Sequence, residues 1–538
     1  MVHITLGFLL GLSSLVSTQT GAVVDLGYAR YRGLPRPDGI VQWLGMRYAA
    51  PPVGPLRFAA PQDPESVDGV QNAFQHGPQC IPTGEYPIPE ETSEDCLFVD
   101  VQAPTMVSQP LPVFVWIEGG GFSQNSQANY DASGLIQASG MGIVVVTFNY
   151  RVGPYGFLSG AEVQRQASVN NGLKDQIHVL KWVQKHIRKF GGDPNHVVLG
   201  GVSAGAASIT LLLSAYGGRD DGLFHAAAAE SQSFAGMQTV DESQFAYNNL
   251  VIRTGCASDD NTLACLRRLD VARLQQANIN TPLPKAQDPP LYLYGPVVDG
   301  LLVPDYTYRL FRRGHFIRVP VIFGDVTDEG TIFVPRNLSS VGEAHTFLQS
   351  QFPELQLRHL AHIHRWYYGQ GNQTRQFPDA GPYWVPTCHA YGEMRYTCPG
   401  IDLSSVYAHA GLPSWNYHYA VRDPRAEAVG NGTSHTVDVN SIWGPSYVTD
   451  NGFPPQSYLS FNAPIVPVVQ GYWTSFIRTL DPNPHRLRGT PKWKTWGRDE
   501  ESHRRLFIRT GDTRMETVPP AQRKRCEYLI SIGTDLGQ

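Results

Sequence analysis

The sequence predicts an α/β fold built on a large, mostly parallel central sheet flanked by helices. Three observations carry that reading. Leu111 to Ile117 (LPVFVWI), Gly142 to Tyr150 (GIVVVTFNY), His196 to Gly200 (HVVLG) and Val319 to Gly324 (VPVIFG) are near-continuous apolar runs, the pattern of strands buried on both faces. Between the second and third lies Leu173 to Phe190, whose apolar residues Ile177, Leu180, Val183 and Ile187 recur at helical spacing. Strand, helix, strand implies a parallel pair. The 538 residues, 42% hydrophobic and 17% charged, also suffice for a large core.

The first residues, MVHITLGFLLGLSSLVSTQTGA, hold a short apolar core from Ile4 to Val16 followed by small and polar residues. This is the pattern of a secretory signal peptide cut near Ser17 to Ala22, although its start carries no Lys or Arg. We therefore expect a leader over about residues 1–20, then one domain over 21–538, and a secreted product. The leader's apolar run is too short to span a bilayer, and no later stretch is long and apolar enough, so no stable membrane insertion is expected. The net charge is −5 and the longest basic run is Arg523-Lys524-Arg525, which speaks against a nucleic-acid partner.

Seven cysteines include three local pairs, Cys80/Cys96, Cys256/Cys265 and Cys388/Cys398. Loops of this size close readily as disulfides in an oxidising compartment, leaving Cys526 over. Asn337, Asn372 and Asn431 stand in N-x-Ser/Thr sequons, acceptors for glycosylation in a secreted chain.

The chemistry gathers on loops after the strands. Trp116-Ile117-Glu118-Gly119-Gly120-Gly121-Phe122 follows the first apolar run and offers three bare amides for an oxyanion. HVVLGGVSAGAASI passes from a strand through Gly201-x-Ser203-x-Gly205 into a helical run, Ala206 to Leu213. A sharp strand-to-helix turn exposes a serine hydroxyl beside the positive end of the helix. A serine nucleophile needs a base and an orienting carboxylate. VIFGDVTDEG supplies Asp325, Asp328 and Glu329 after a strand; each also reads as a solvated turn residue. Histidines from His345 to His503 could be the base. His435 sits in the small-residue loop GNGTSHTVDVNSIWG, whereas His418 in WNYHYAV alternates like a strand residue. The stretch 335–412 is rich in Tyr, Trp, His and Pro without clear strands, and we expect it to form helical and irregular insertions over the site.

These segments together resemble the type-B carboxylesterase/lipase family, which includes the cholinesterases and the large fungal lipases. The resemblance runs through LGMRYAAPPVGPLRF, EDCL, NYRVGPYGFL, NNGLKDQ, FGGDPNHVVLGGVSAGA, DEGTIF, GTSH and FIRTLDPNP, nearly the whole mature chain. It implies an α/β-hydrolase fold, Ser203 as nucleophile, Glu329 as triad acid and His435 as base. It places oxyanion amides at Gly120, Gly121 and Ala204, and Ser231 of AESQSF in support of the His–acid pair. EDCL implies the Cys80–Cys96 disulfide. Asp325 and Asp328 then return to being turn residues.

Three positions depart from the family's pattern. Val202 stands where Glu commonly precedes the nucleophile. Glu118 stands where His, Tyr or Gln often precedes the glycines, and its carboxylate would repel an oxyanion unless turned away or hydrogen-bonded. Gln232 stands where Gly is usual. The loop closed by the first disulfide, IPTGEYPIPEETSED, has no Trp and is too short and polar for a large interfacial lid. The implied activity is a serine carboxylesterase acting on small, soluble esters with no metal or cofactor. Acyl transfer to an alcohol in specialised metabolism, or a non-catalytic binding protein on the same fold, are the alternatives. Tyr86, Phe122 and Trp443 are placed on the pocket wall by position alone.

Overall fold

The computed structural model describes residues 23–126, 129–369, 377, 379–448 and 456–538. The leader and the sequon at Asn372 lie outside them. Eleven strands form one sheet: β1 (Leu34–Pro35), β2 (Ile40–Arg47), β3 (Phe98–Pro104), β4 (Leu111–Ile117), β5 (Val144–Phe148), β6 (Gly192–Val202), β7 (Ala226–Glu230), β8 (Val321–Val326), β9 (Ser414–Tyr419), β10 (Arg504–Ile508) and β11 (Arg514–Thr517). Their order is β11-β10-β9-β8-β7-β6-β4-β5-β3-β2-β1. From β10 to β5 every neighbour is parallel. Both margins are antiparallel, so the expected mostly parallel sheet of an α/β-hydrolase fold is present.

The sheet is buried on both faces because its strands are apolar at consecutive positions. In β4, Val113, Val115 and Ile117 enter the core on one face, while Phe114 and Trp116 enter the core on the other. Helices cover both faces. α1 (Asn171–His186) and α2 (Ala204–Ser214) belong to the first layer, through residues such as Leu180, Val183, Ile209 and Leu213. A helix over Ile465–Thr479 packs Tyr472, Trp473 and Phe476 into the second.

The stretch 335–412 is helical, as its composition suggests. It contains α3 (Val341–Gln351), α4 (Leu357–Ile363), α5 (Trp384–Gly392) and α6 (Cys398–His409), with a π-helical turn at Glu393–Thr397 joining the last two. A third apolar cluster holds these helices against α7 (Pro520–Ser531), through Trp384, Tyr391, Tyr396 and Leu529. No helix among the described residues is long and apolar enough to cross a membrane.

Cys80–Cys96 and Cys256–Cys265 are disulfides as expected. The third pair is a correction. Cys398 bonds Cys526, and Cys388 is a buried free thiol. The cause is geometric. Cys388 and Cys398 sit on one nearly continuous helical run from Trp384 to His409. Ten residues of helix advance about 15 Å, beyond the roughly 7 Å limit on Cα separation for a disulfide.

Candidate active site

Ser203 caps the turn between β6 and α2 with φ 58° and ψ −117°. Such a backbone costs a non-glycine residue about 1–3 kcal/mol and persists only when its surroundings hold it. Three hydrogen bonds do so. The Ser203 N–H donates to the Glu230 carbonyl at 3.0 Å, and its own carbonyl accepts from the Ala207 N–H at 2.9 Å and the Ser233 hydroxyl at 2.8 Å. Gly205 is required by space. A Cβ there would stand 2.0 Å from the carbonyl oxygen of Ile117, at the end of β4.

That contact brings the glycine loop to the serine. Gly120, Gly121 and Phe122 take φ of 96°, 62° and 62°, a left-handed run that glycine adopts without steric cost at its first two positions. A Cβ on Gly119 would lie 3.1 Å from the Cβ of Ser203. Among the described residues the N–H groups of Gly120 and Gly121 donate no hydrogen bond. The Ala204 N–H, in the first turn of α2, has no intrahelical acceptor either. Glu118 is buried, and its Oε2 accepts from the Ser126 N–H at 2.9 Å. Its carboxylate is therefore tied into the loop.

His435 and Glu329 are hydrogen-bonded, Nδ1 to Oε2, and both are buried. The other carboxylate oxygen of Glu329 accepts from the Val326 N–H at 2.9 Å. Ser231 joins the pair from β7's end. Its hydroxyl accepts from the Thr436 N–H at 3.1 Å and favours the ionised form of Glu329. The rings of Tyr396 and Phe333 stand 4.6 and 4.9 Å from that of His435. Its Nε2 is buried without a hydrogen-bond partner. Burial pulls His435 down to about 3, and the nearby Arg395 adds to that direction. Burial likewise raises Glu329, against the hydrogen bonds it accepts. Both shifts favour a neutral imidazole as the resting form.

Asp325 and Asp328 are not solvated turn residues. Asp325 is an interior residue of β8, opposite His418 of β9, and is fully buried. The strand runs two residues past the predicted end at Gly324. Asp328 accepts from the Thr433 N–H at 2.8 Å and so joins the β8 loop to the His435 loop. His418 is a strand residue, with Nδ1 2.9 Å from Glu516.

The residue composition alone does not reveal a carboxylate cluster behind His435. Glu230 is the register partner of Val202 across β6 and β7, so a carboxylate does lie beside the nucleophile turn, on the neighbouring strand. It accepts from Trp473 Nε1 at 2.9 Å. Asp438 accepts from the Tyr417 hydroxyl at 2.6 Å. Burial raises Glu230 well above the carboxylate range and pushes Asp438 up to about 6. Val202 itself packs in the apolar cluster that holds Trp116 and Trp443.

A cavity of about 290 Å³ reaches the glycine loop, lined by Gly121, Phe122, Phe157, Tyr292, Tyr391 and Arg395 among others. The Tyr292 ring occupies that end, so close that a Cβ on Gly121 would meet it at 2.2 Å. Of the wall positions expected, Phe122 is one. Trp443 is fully buried against Trp116 and Tyr130, and Tyr86 is exposed and does not line the cavity.

The sequence model of the carboxylesterase family matches residues 13–527. The chain is 30% identical over 503 residues to "Secreted lipase 4" of Gibberella zeae, covering 89% of this chain and 86% of that one. It is 33% identical over 432 residues to "Fumonisin B1 esterase" of Sphingopyxis macrogoltabida, covering 77% and 74%. The crystal structure of Aspergillus niger EstA superposes with a TM-score of 0.92 at 41% identity, over 96% of this chain and 99% of that one. The chain belongs to the carboxylesterase family and is a carboxylic ester hydrolase.

Proposed function

We propose that hydrolysis proceeds through Ser203, His435 and Glu329 and a covalent acyl-enzyme. His435 Nε2 takes the Ser203 proton as the oxygen attacks the ester carbonyl. The amides of Gly120, Gly121 and Ala204 receive the oxyanion, each such donor being worth roughly 3 kcal/mol. His435 returns its proton to the departing alcohol. It then activates a water, which releases the acid and restores the serine. Glu329, held by Ser231 and Val326, keeps the imidazole in the tautomer with Nε2 free. The observation that carries this reading is the buried His435–Glu329 hydrogen bond, with Nε2 left without a partner.

We further infer an extracellular protein. The apolar leader and the three disulfides support this, and so do relatives named as secreted lipases. Asn337 is exposed and open to glycosylation. Asn431 is half-buried, and its Oδ1 accepts from Arg336 at 3.4 Å. The short polar loop inside the first disulfide favours dissolved esters of modest size over lipid droplets. Hydrolysis of p-nitrophenyl esters from acetate to palmitate, by wild type and Ser203→Ala, tests the reading. Activity on short and medium chains that vanishes in the variant is expected. Activity that survives the substitution would refute Ser203 as nucleophile, and folded protein inert on every chain would refute hydrolysis of simple esters.

A further inference from the structure

Arg395 stands in the π-helical turn between α5 and α6 and lines the cavity that reaches the glycine loop. Its neighbour in sequence, Tyr396, is the residue whose ring packs on His435. π-Helical turns inside helices are frequent at functional sites. The Arg395 backbone is fixed, its carbonyl accepting from the Phe234 N–H at 3.3 Å. Its guanidinium lies over Gly236, where a Cβ would come within 3.1 Å of Nη1.

Among the described residues, this guanidinium makes no hydrogen bond, ion pair or ring-face contact. The other charges on the wall are committed elsewhere. Lys285 pairs with Glu354 at 2.8 Å. Glu242 accepts from the Thr239 N–H at 2.8 Å at a helix start. Asp535 faces His359 at 3.5 Å. The rings around Arg395 are phenols, Tyr292, Tyr391 and Tyr396, all held protonated by burial. A half-buried cation with no counter-charge is costly, and a neutral side chain would fill the same wall without that cost. The flat guanidinium is also the group that grips a carboxylate through two parallel hydrogen bonds.

We propose that Arg395 is a specificity residue that binds a carboxylate of the substrate, so that the preferred esters are anionic, with the carboxylate a short spacer from the scissile ester. This rests on the esterase reading above and adds to it the class of substrate. The carboxylate belongs either to the acyl half, as in a half-ester of a dicarboxylic acid, or to the alcohol half, as in an acylated hydroxy acid.

Two matched pairs separate these. Monoethyl glutarate against ethyl pentanoate places the charge on the acyl half, and acetoxyacetate against ethyl acetate places it on the alcohol half. Release of product is followed by chromatography. For wild type, kcat/KM should favour the anionic member of one pair by roughly 10–100-fold, the range of a charge-assisted hydrogen bond. Arg395→Gln should collapse that ratio to one or below, chiefly through KM, and Arg395→Lys should retain part of it. A wild-type ratio at or below one in both pairs would overturn the proposal while leaving the esterase reading standing. So would an Arg395→Gln variant that lowers both members of each pair by the same factor, the mark of a packing role. Hydrolysis of none of the four esters would overturn both.

Discussion

The phenol of Tyr417 donates to the carboxylate of Asp438 at 2.6 Å in the closed space behind the His435–Glu329 pair. Two carboxylates there, Asp438 and Glu230, share one buried neighbourhood. Burial holds Asp438 at about 6 in the folded chain, against an ordinary value of 3.8. The folded state thus binds this proton more tightly than the unfolded state, and its stabilising effect is lost as pH rises from about 4 to about 6. Asp438→Asn removes the penalty. Thermal melts should show the variant more stable than wild type at pH 8 by about 1–3 kcal/mol, with the advantage gone at pH 3.5. An advantage equal at both pH values would contradict the shift.

The His435 shift has the opposite sense. Burial depresses it, so the neutral imidazole survives well below the ordinary value of 6.5. The acid limb of kcat/KM should therefore fall below pH 5 rather than near 6.5. A profile halved at pH 6.5 would place the free base elsewhere.

Glu118 holds the glycine loop, the proposed oxyanion site, through its bond to the Ser126 N–H. Glu118→Ala leaves that amide without its acceptor and the loop less fixed. It should lower kcat about 10-fold or more and cost about 1–3 kcal/mol of stability. A rise in kcat would instead mean that the carboxylate repels the oxyanion.

The cysteines separate cleanly. The Cys398–Cys526 bridge closes a loop of 128 residues, so Cys398→Ser should cost about 2–5 kcal/mol. Cys388 is buried, and its thiol is pushed above the usual range. It should alkylate only in denaturant, and peptide mapping should find Cys398 joined to Cys526. A Cys388-containing disulfide in the mapped peptides would reverse the assignment.

The scaffold was legible because its strands are buried on both faces, and apolar runs such as LPVFVWI have few other uses. The nucleophile turn, the glycine loop and the DEG and GTSH segments were legible because each demands particular residues at short range. What escaped depends on pairing across the fold. The proximity of Glu230 to the nucleophile turn is a matter of register between β6 and β7, and nothing in AESQSF states that register. Asp325 was misread because β8 continues past Gly324. The cysteine pairing failed because spacing was read as if the chain between Cys388 and Cys398 were a loop, whereas it is helix. Arg395 had no signal in RYTCPG. Its interest lies in the carboxylates that do not meet it, and absence of a partner is visible only in three dimensions.

The walls of the substrate cavity are drawn from as far apart as Gly121 and Gly537. At ribosomal speeds of about 5–20 residues per second, roughly 20–80 s separate the synthesis of those two residues. For that interval the glycine loop can exist while the cavity in front of it cannot. Truncated products of translation would be catalytically mute, so the enzyme would come into activity all at once, late in its own making.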